Sequence, residues 1–204
     1  MSSGCAGLGS LQSTQLFVQA AFPSMPQSFI PTTKDNLRAL FAKHPHLHRP
    51  FNNSIFPTCT FNCGSRVVTL DHVDSTNVPY GFCAIFTCGS YDPTKSGHLV
   101  LFDLSLMVQL PPGSSILIPS GTICHANVAI QPHETRQSFT QYCPGGLLRW
   151  VAYGFKAVNT SSESIRQQLE KMHKKRCTHA IGLFSKLQEL HKDRVRIFTL
   201  KGAI

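Results

Sequence analysis

From Ser54 to Phe155 the chain is cut by turn residues into strand-length apolar runs, and this punctuation constrains the fold more than any other feature. The runs cover about 55–62, 67–72, 80–87, 98–102, 106–110, 114–119, 123–130, 137–142 and 148–155. Between them lie Cys63-Gly64-Ser65, Asn77-Val78-Pro79, Gly89-Ser90-Tyr91-Asp92-Pro93, Pro111-Pro112-Gly113, Gln131-Pro132-His133 and Pro144-Gly145-Gly146. Glycine supplies backbone angles closed to other residues and proline cannot donate to a ladder, so such clusters reverse the chain. Many short strands at regular intervals predict an antiparallel sandwich or jelly roll, a mainly β fold with flanking helices. No helix-length segment interrupts the run, which argues against an α/β arrangement.

The flanks read differently. Residues 1–31 are rich in Ser, Gly, Gln and Pro and predict a flexible leader, with one apolar patch at Leu16–Phe22. Thr32 or Thr33 can cap a short helix to about Lys43, with Leu37, Leu40 and Phe41 on one face. His44, His46 and His48 follow in a proline-bounded loop without acidic neighbours, which favours a solvated loop over a metal site. Thr160-Ser161-Ser162-Glu163 reads as a capping box opening a helix with Ile165, Leu169 and Met172 on one side. A second helix is expected around His179–Lys192. The expected domains are thus 1–31 (leader), 32–158 (sheet domain with its short N-terminal helix) and 159–204 (basic helical extension).

The net charge of +9 is unevenly spread. Residues 159–204 hold ten basic against four acidic side chains, 34–158 hold nine against six, and 1–33 hold none. Such a tail attracts an anionic partner such as DNA, although a solvated helix face has the same composition. Eight cysteines in 204 residues are too dilute for a disulfide scaffold and lack the paired C-x2-C spacing of structural zinc, so free thiols are expected. No run of 18 apolar residues is present and no secretory signal is evident, so neither a membrane span nor secretion is expected.

Chemistry enters at Val67–Asp74, VVTLDHVD. Alternation along a strand puts Val68, Leu70, His72 and Asp74 on one face, so an imidazole and a carboxylate share the side of two apolar residues. Such a pair needs hydrogen bonds, pairing or a cation. His125, in Ile123-Cys124-His125-Ala126-Asn127-Val128, is the candidate third ligand. Two histidines and a carboxylate form the facial triad of non-haem Fe(II) oxygenases, which leaves adjacent coordination positions open. Arg136 follows eleven residues later, and a hairpin of that length is expected to bring it back to the same cavity. A guanidinium fork suits the distal carboxylate of 2-oxoglutarate, and Ser138, on the same strand face, adds a hydroxyl. Asn77 and Asn127 are candidate polar contacts for a substrate, though each type more often caps backbone.

The stretch from about Leu37 to Phe155 resembles the TET/JBP-type 2-oxoglutarate and Fe(II) dioxygenases, particularly the branch expanded in mushroom-forming fungi. The resemblance is carried by His72-Val73-Asp74-Ser75-Thr76-Asn77 and Gly97-His98-Leu99-Val100-Leu101-Phe102-Asp103-Leu104. It continues in Pro111–Ser120, in His125-Ala126-Asn127 and in Glu134-Thr135-Arg136-Gln137-Ser138-Phe139-Thr140-Gln141-Tyr142. It implies a double-stranded β-helix of cupin-like form, with iron on His72, Asp74 and His125. It further implies 2-oxoglutarate on Arg136, O2 as co-substrate, and oxidation of the methyl group of 5-methylcytosine or thymine in DNA. A nuclear location would follow, with a cytoplasmic one as the alternative. Departures are the short region before the sheet, Thr87-Cys88-Gly89 in place of an Ala-Leu-Gly stretch, Phe102 in place of a tryptophan, and Cys124 beside His125. Two other readings are the same iron chemistry on a protein or small molecule, and an inactive jelly roll that binds nucleic acid or a partner.

Overall fold

The computed structural model describes residues 29–51, 54–172 and scattered positions from 175 to 195. These residues fall in two compact units: one holds 56–143 and is built of strands, and the other holds 29–55 and the chain from Pro144 onward.

In the strand unit, β1 (Thr58–Asn62), β2 (Cys83–Ser90), β5 (Ser115–Ile118) and β7 (Thr135–Tyr142) form an antiparallel sheet in the order β1-β7-β2-β5. A second antiparallel sheet has the order β4-β3-β6, from β3 (Leu99–Leu101), β4 (Leu106–Val108) and β6 (His125–Asn127). Cys83 and Ile85 on β2 and Leu99 and Leu101 on β3, each pair two residues apart, form one cluster with Leu110 and Ile118. Period-two alternation thus gives each sheet an apolar face, and each buried aliphatic side chain there contributes about 1.5–3 kcal/mol. The result is a jelly roll, one of the two forms expected from the turn pattern, and the double-stranded β-helix that the resemblance implies. Next to last in strand β2 is Gly89 with φ +129°, where a Cβ would collide with the carbonyl oxygen of Thr135 on β7. Only glycine lets the two backbones approach there.

Three expectations for this unit change. Residues 67–72 form no regular strand; isolated bridges at Arg66–Arg136 and His72–His125 flank them in place of a ladder. Val68 is 51% and Leu70 78% exposed, so the supposed core partners of His72 face solvent, and a bend at Asp71 reverses the alternation before His72 turns inward. The run at 123–130 shortens to β6. The link from His125 to Arg136 is not a hairpin, because β6 and β7 belong to different sheets, and Arg136 reaches the cavity from the opposite wall.

In the other unit α1 spans Phe29–Lys43 and packs against α2, Gly145–Ala152. Helix α1 ends where expected but starts earlier than Thr32, taking in Phe29–Pro31 from the expected leader; proline is tolerated in a first turn because its missing N–H has no helical partner there. Thr33, Leu37 and Leu40 are its buried stripe. The strand expected at 148–155 is instead α2. Its half-buried Leu147, Leu148, Trp150 and Val151 recur at helical spacing, while Gly146, Arg149 and Ala152 are exposed. His44 accepts a hydrogen bond from Trp150 Nε1–H at 3.1 Å, so the first histidine of its loop serves packing. Helix α3 (Glu163–Lys171) is capped by Ser162, which accepts from the Ile165 amide at 3.4 Å, rather than by Thr160. Most of the leader and the helix expected at 179–192 lie outside the described residues, apart from scattered positions of the latter. Among the described residues no helix is long and apolar enough to cross a membrane, and Cys59, Cys63, Cys83, Cys88, Cys124 and Cys143 are free thiols.

Candidate metal and anion site

A cavity of about 310 Å3 opens between the two sheets of the strand unit. The extended segment 65–74 crosses it as a strap. Its ends are tied to β7, where the Arg136 amide donates to Ser65 O at 2.8 Å, and to β6, where His72 and His125 exchange both backbone hydrogen bonds at 3.1 and 2.9 Å. The Asp74 amide then donates to Ser120 O at 2.9 Å.

This pairing sets His72 beside His125, with ring centroids 4.3 Å apart. His72 Nδ1 lies 2.9 Å from Leu70 O and His125 Nδ1 3.0 Å from Ile123 O. A carbonyl only accepts, so each Nδ1 carries a hydrogen, and Nε2 is the atom each ring has left to offer a metal. Asp74 Oδ1 stands 3.4 Å from His72 Nε2, and one ligand atom from each of His72, Asp74 and His125 lies within 4.8 Å of the others. Among the described residues this is the one such group of His, Cys, Asp or Glu side chains. Two imidazoles and a carboxylate presenting ligand atoms this close together match the donor set of a divalent metal centre. The other carboxylate oxygen, Oδ2, accepts from Asn77 Nδ2 at 3.0 Å, and the same Nδ2 reaches Ser120 Oγ at 3.4 Å. Cys83 lines the cavity as a thiol pushed up to about 12 by burial, with the Asp74 charge adding to the effect.

On the facing wall, Arg136 is 3% exposed, and its Nη1 donates to Val67 O at 3.3 Å. Its Nε is buried without a hydrogen-bond partner. Burial lowers the guanidinium pKa, against which neighbouring Tyr91 acts to raise it. A buried cation that lines a cavity fits an anionic ligand. Ser138 Oγ accepts from Asn62 Nδ2 at 3.0 Å, which leaves its own hydrogen free to turn toward such an anion.

All seven residues singled out in the sequence line this one cavity: His72, Asp74, Asn77, His125, Asn127, Arg136 and Ser138. The two asparagines have other bonds to make: Asn77 holds Asp74, and Asn127 is bonded to backbone at Val67, Thr69 and Val128. Sequence reading missed Thr140 and Tyr142, which continue the Arg136, Ser138 alternation along β7, and Thr60 and Asn62 on β1, which lie opposite Thr140 and Ser138. Extending the period-two count from Arg136 would have found the first two; nothing in the sequence places β1 beside β7.

No protein-family model matches this sequence, and no curated protein sequence matches it. Among solved structures it is similar to NgTET1 in complex with 5mC DNA, at 18% identity and a TM-score of 0.51 over 65% of this chain and 48% of that one. The chain thus spans about half the length of that protein. It also overlaps the viral collagen prolyl hydroxylase vCPH from Paramecium Bursaria Chlorella virus-1 in its 2OG complex, at 12% identity and a TM-score of 0.31 over 56% and 72% of the two chains. At 18% identity the likeness to the first of these is one of fold: the paired antiparallel sheets of this chain share a double-stranded β-helix architecture with it.

Proposed function

We propose that the protein is an Fe(II)- and 2-oxoglutarate-dependent dioxygenase that oxidises the methyl group of a modified base, 5-methylcytosine or thymine, in DNA. The observation that carries this reading is that a His-Asp-His donor set and a buried arginine line the same cavity. His72 and His125 would hold iron through Nε2, with Asp74 completing the set through Oδ1. Arg136 and Ser138 would grip the far carboxylate of 2-oxoglutarate, the guanidinium through charge-assisted hydrogen bonds. When bound, iron with 2-oxoglutarate and O2 supplies the oxidising power, joining decarboxylation to succinate with hydroxylation of a C–H bond.

The chain's own part is to orient and to exclude water. The carbonyls of Leu70 and Ile123 fix the imidazole tautomers, and Asn77 fixes the Asp74 carboxylate. Ile85, Leu99 and Ala126 dry the wall between metal and anion sites. The DNA substrate is supported by the likeness to a protein solved with 5mC DNA and by the basic excess in 159–204. A base must leave the duplex to enter such a cavity, and cationic side chains that bind the flanking phosphates aid this. A DNA substrate would place the enzyme in the nucleus.

The test is to incubate the purified protein with methylated DNA, Fe(II) and 2-oxoglutarate, and to search by mass spectrometry for oxidised bases, with Asp74→Ala as control and a peptide panel in parallel. Oxidised cytosine or thymine that disappears in Asp74→Ala supports the proposal. Oxidised peptide in place of oxidised base moves the same chemistry to protein, and absence of Fe(II)-dependent succinate release in every arm refutes the oxygenase reading.

A further inference from the structure

The strap carries His72, yet between its bridges at Arg66 and His72 it has no ladder to hold it. Its side chains do not anchor it either, since Val68 and Leu70 point to solvent. Val67 is held from β7, its N–H donating to Arg136 O at 3.1 Å and its O accepting from Arg136 Nη1, and the tie that reaches further along the span is one buried residue of β6. Asn127 Oδ1 accepts from the Thr69 amide at 2.8 Å, and its Nδ2 donates to Val67 O at 3.3 Å. The Asn127 amide also donates to Thr69 O at 3.1 Å. An amide N–H only donates and a carbonyl only accepts, so these partners fix which end of the carboxamide faces which. Both site halves hang on the strap so held. Val67 O, shared between Asn127 Nδ2 and Arg136 Nη1, steadies the guanidinium, and Leu70 O, one residue past Thr69, fixes the His72 ring.

We propose that Asn127 is a positioning residue whose carboxamide, by holding the strap at Val67 and Thr69, sets His72 and Arg136 in their places on the cavity wall. The inference rests on the reading of His72, Asp74 and His125 as metal ligands and adds a residue that touches no metal. Other side chains do not replace it. Aspartate keeps the acceptor for Thr69 but turns a second oxygen on Val67 O, alanine loses both bonds, and serine lacks the fork.

The experiment titrates metal-free protein with Co(II), followed by visible absorption, in wild type, Asn127→Ala, Asn127→Asp and Leu110→Ala. The last removes core packing away from the strap and controls for general destabilisation. Hydrogen exchange of peptides covering 65–73 is read in the same proteins without metal. Loss of an orienting partner costs about 10–100-fold in metal affinity, so Asn127→Ala is expected to bind Co(II) that much more weakly and to exchange faster across 67–72. Asn127→Asp is expected to show the same in smaller measure, and it carries the test if Asn127→Ala does not fold. Leu110→Ala is expected to keep the wild-type affinity despite lower stability. Wild-type affinity and exchange in the asparagine variants would overturn the proposal, as would an equal affinity loss in Leu110→Ala. Wild-type protein that binds no Co(II), or binds it equally after His72→Ala, would remove the metal reading itself and this inference with it.

Discussion

Replacing Arg136 by methionine should separate the stability of this protein from its affinity for 2-oxoglutarate. The guanidinium is 3% exposed, its Nε has no partner, and its Nη1 bond to Val67 O is a long 3.3 Å. Without an anion the fold therefore carries a desolvated charge that is incompletely compensated. Methionine of similar length forfeits the Val67 bond, worth about 1.5–3 kcal/mol for a charged donor at good geometry and less here. It also removes a burial penalty of several kcal/mol, and comparable exchanges of buried ions for apolar residues run from neutral to about 1–4 kcal/mol stabilising. The melting temperature without ligand should then hold or rise, by about 2–4 °C per kcal/mol for a chain of this size.

Ligand binding should change in the opposite sense. Two charge-assisted bonds to a carboxylate at about 1.5–3 kcal/mol each amount to about 3–6 kcal/mol, or roughly 10²–10⁴ in Kd at 1.4 kcal/mol per tenfold. At a concentration 100 times the wild-type Kd, 2-oxoglutarate stabilises wild type by about 2.7 kcal/mol and the variant by about 0.4 kcal/mol or less. Calorimetric melting with and without 2-oxoglutarate reads both quantities. A ligand-free variant that melts well below wild type, or one that 2-oxoglutarate stabilises as strongly, would refute the anion-anchor argument.

Three further outcomes follow from the same structure. Gly89→Ala should cost about 3 kcal/mol or more, because the residue combines φ +129° with backbone contact at Thr135; thermal unfolding checks it, and a loss under about 1 kcal/mol would contradict the geometry. Glu134 accepts from Ser96 Oγ at 2.6 Å and from the amides of Asp92 and Gln131 at 2.7 Å, bonds that hold its carboxyl below the usual range, the Ser96 hydroxyl foremost. A depressed folded pKa gives stability that is present above the ordinary glutamate value of about 4.3 and is lost as pH falls below it, so urea midpoints should drop more steeply with acid in wild type than in Glu134→Gln; parallel profiles would refute the assignment. Burial pushes the Cys83 and Cys143 thiols up to about 12 while Cys63 is exposed, so alkylation of native protein at mildly alkaline pH, mapped by mass spectrometry, should label Cys63 first and the other two after denaturation.

How legible the molecule was in its sequence depends on how local the physics is. Turn residues act within a few positions, and the alternation of β2 and β7 follows from the pleat, so the sheet class could be read directly. The helix at 145–152 was misread as a strand because a short apolar run has no period of its own strong enough to separate the two. The candidate site was legible as a combination of residue types: His-x-Asp or an arginine alone has common alternatives, and two imidazoles, a carboxylate and a guanidinium together have fewer. Thr60 and Asn62 escaped because nothing within their own strand says which strand will lie beside it.

VVTLDHVD marks the division most clearly. The sequence by itself determined that His72 and Asp74 lie two apart with His125 and Arg136 downstream, because composition and spacing are properties of the chain. Tertiary structure decided that Val68 and Leu70 face water, that His125 and Arg136 come from opposite sheets, and that an asparagine holds the segment where a ladder would have. Those outcomes are set by hydrogen bonds between residues some 60 positions apart, such as Thr69 to Asn127 and Val67 to Arg136, and no local periodicity encodes such a pairing.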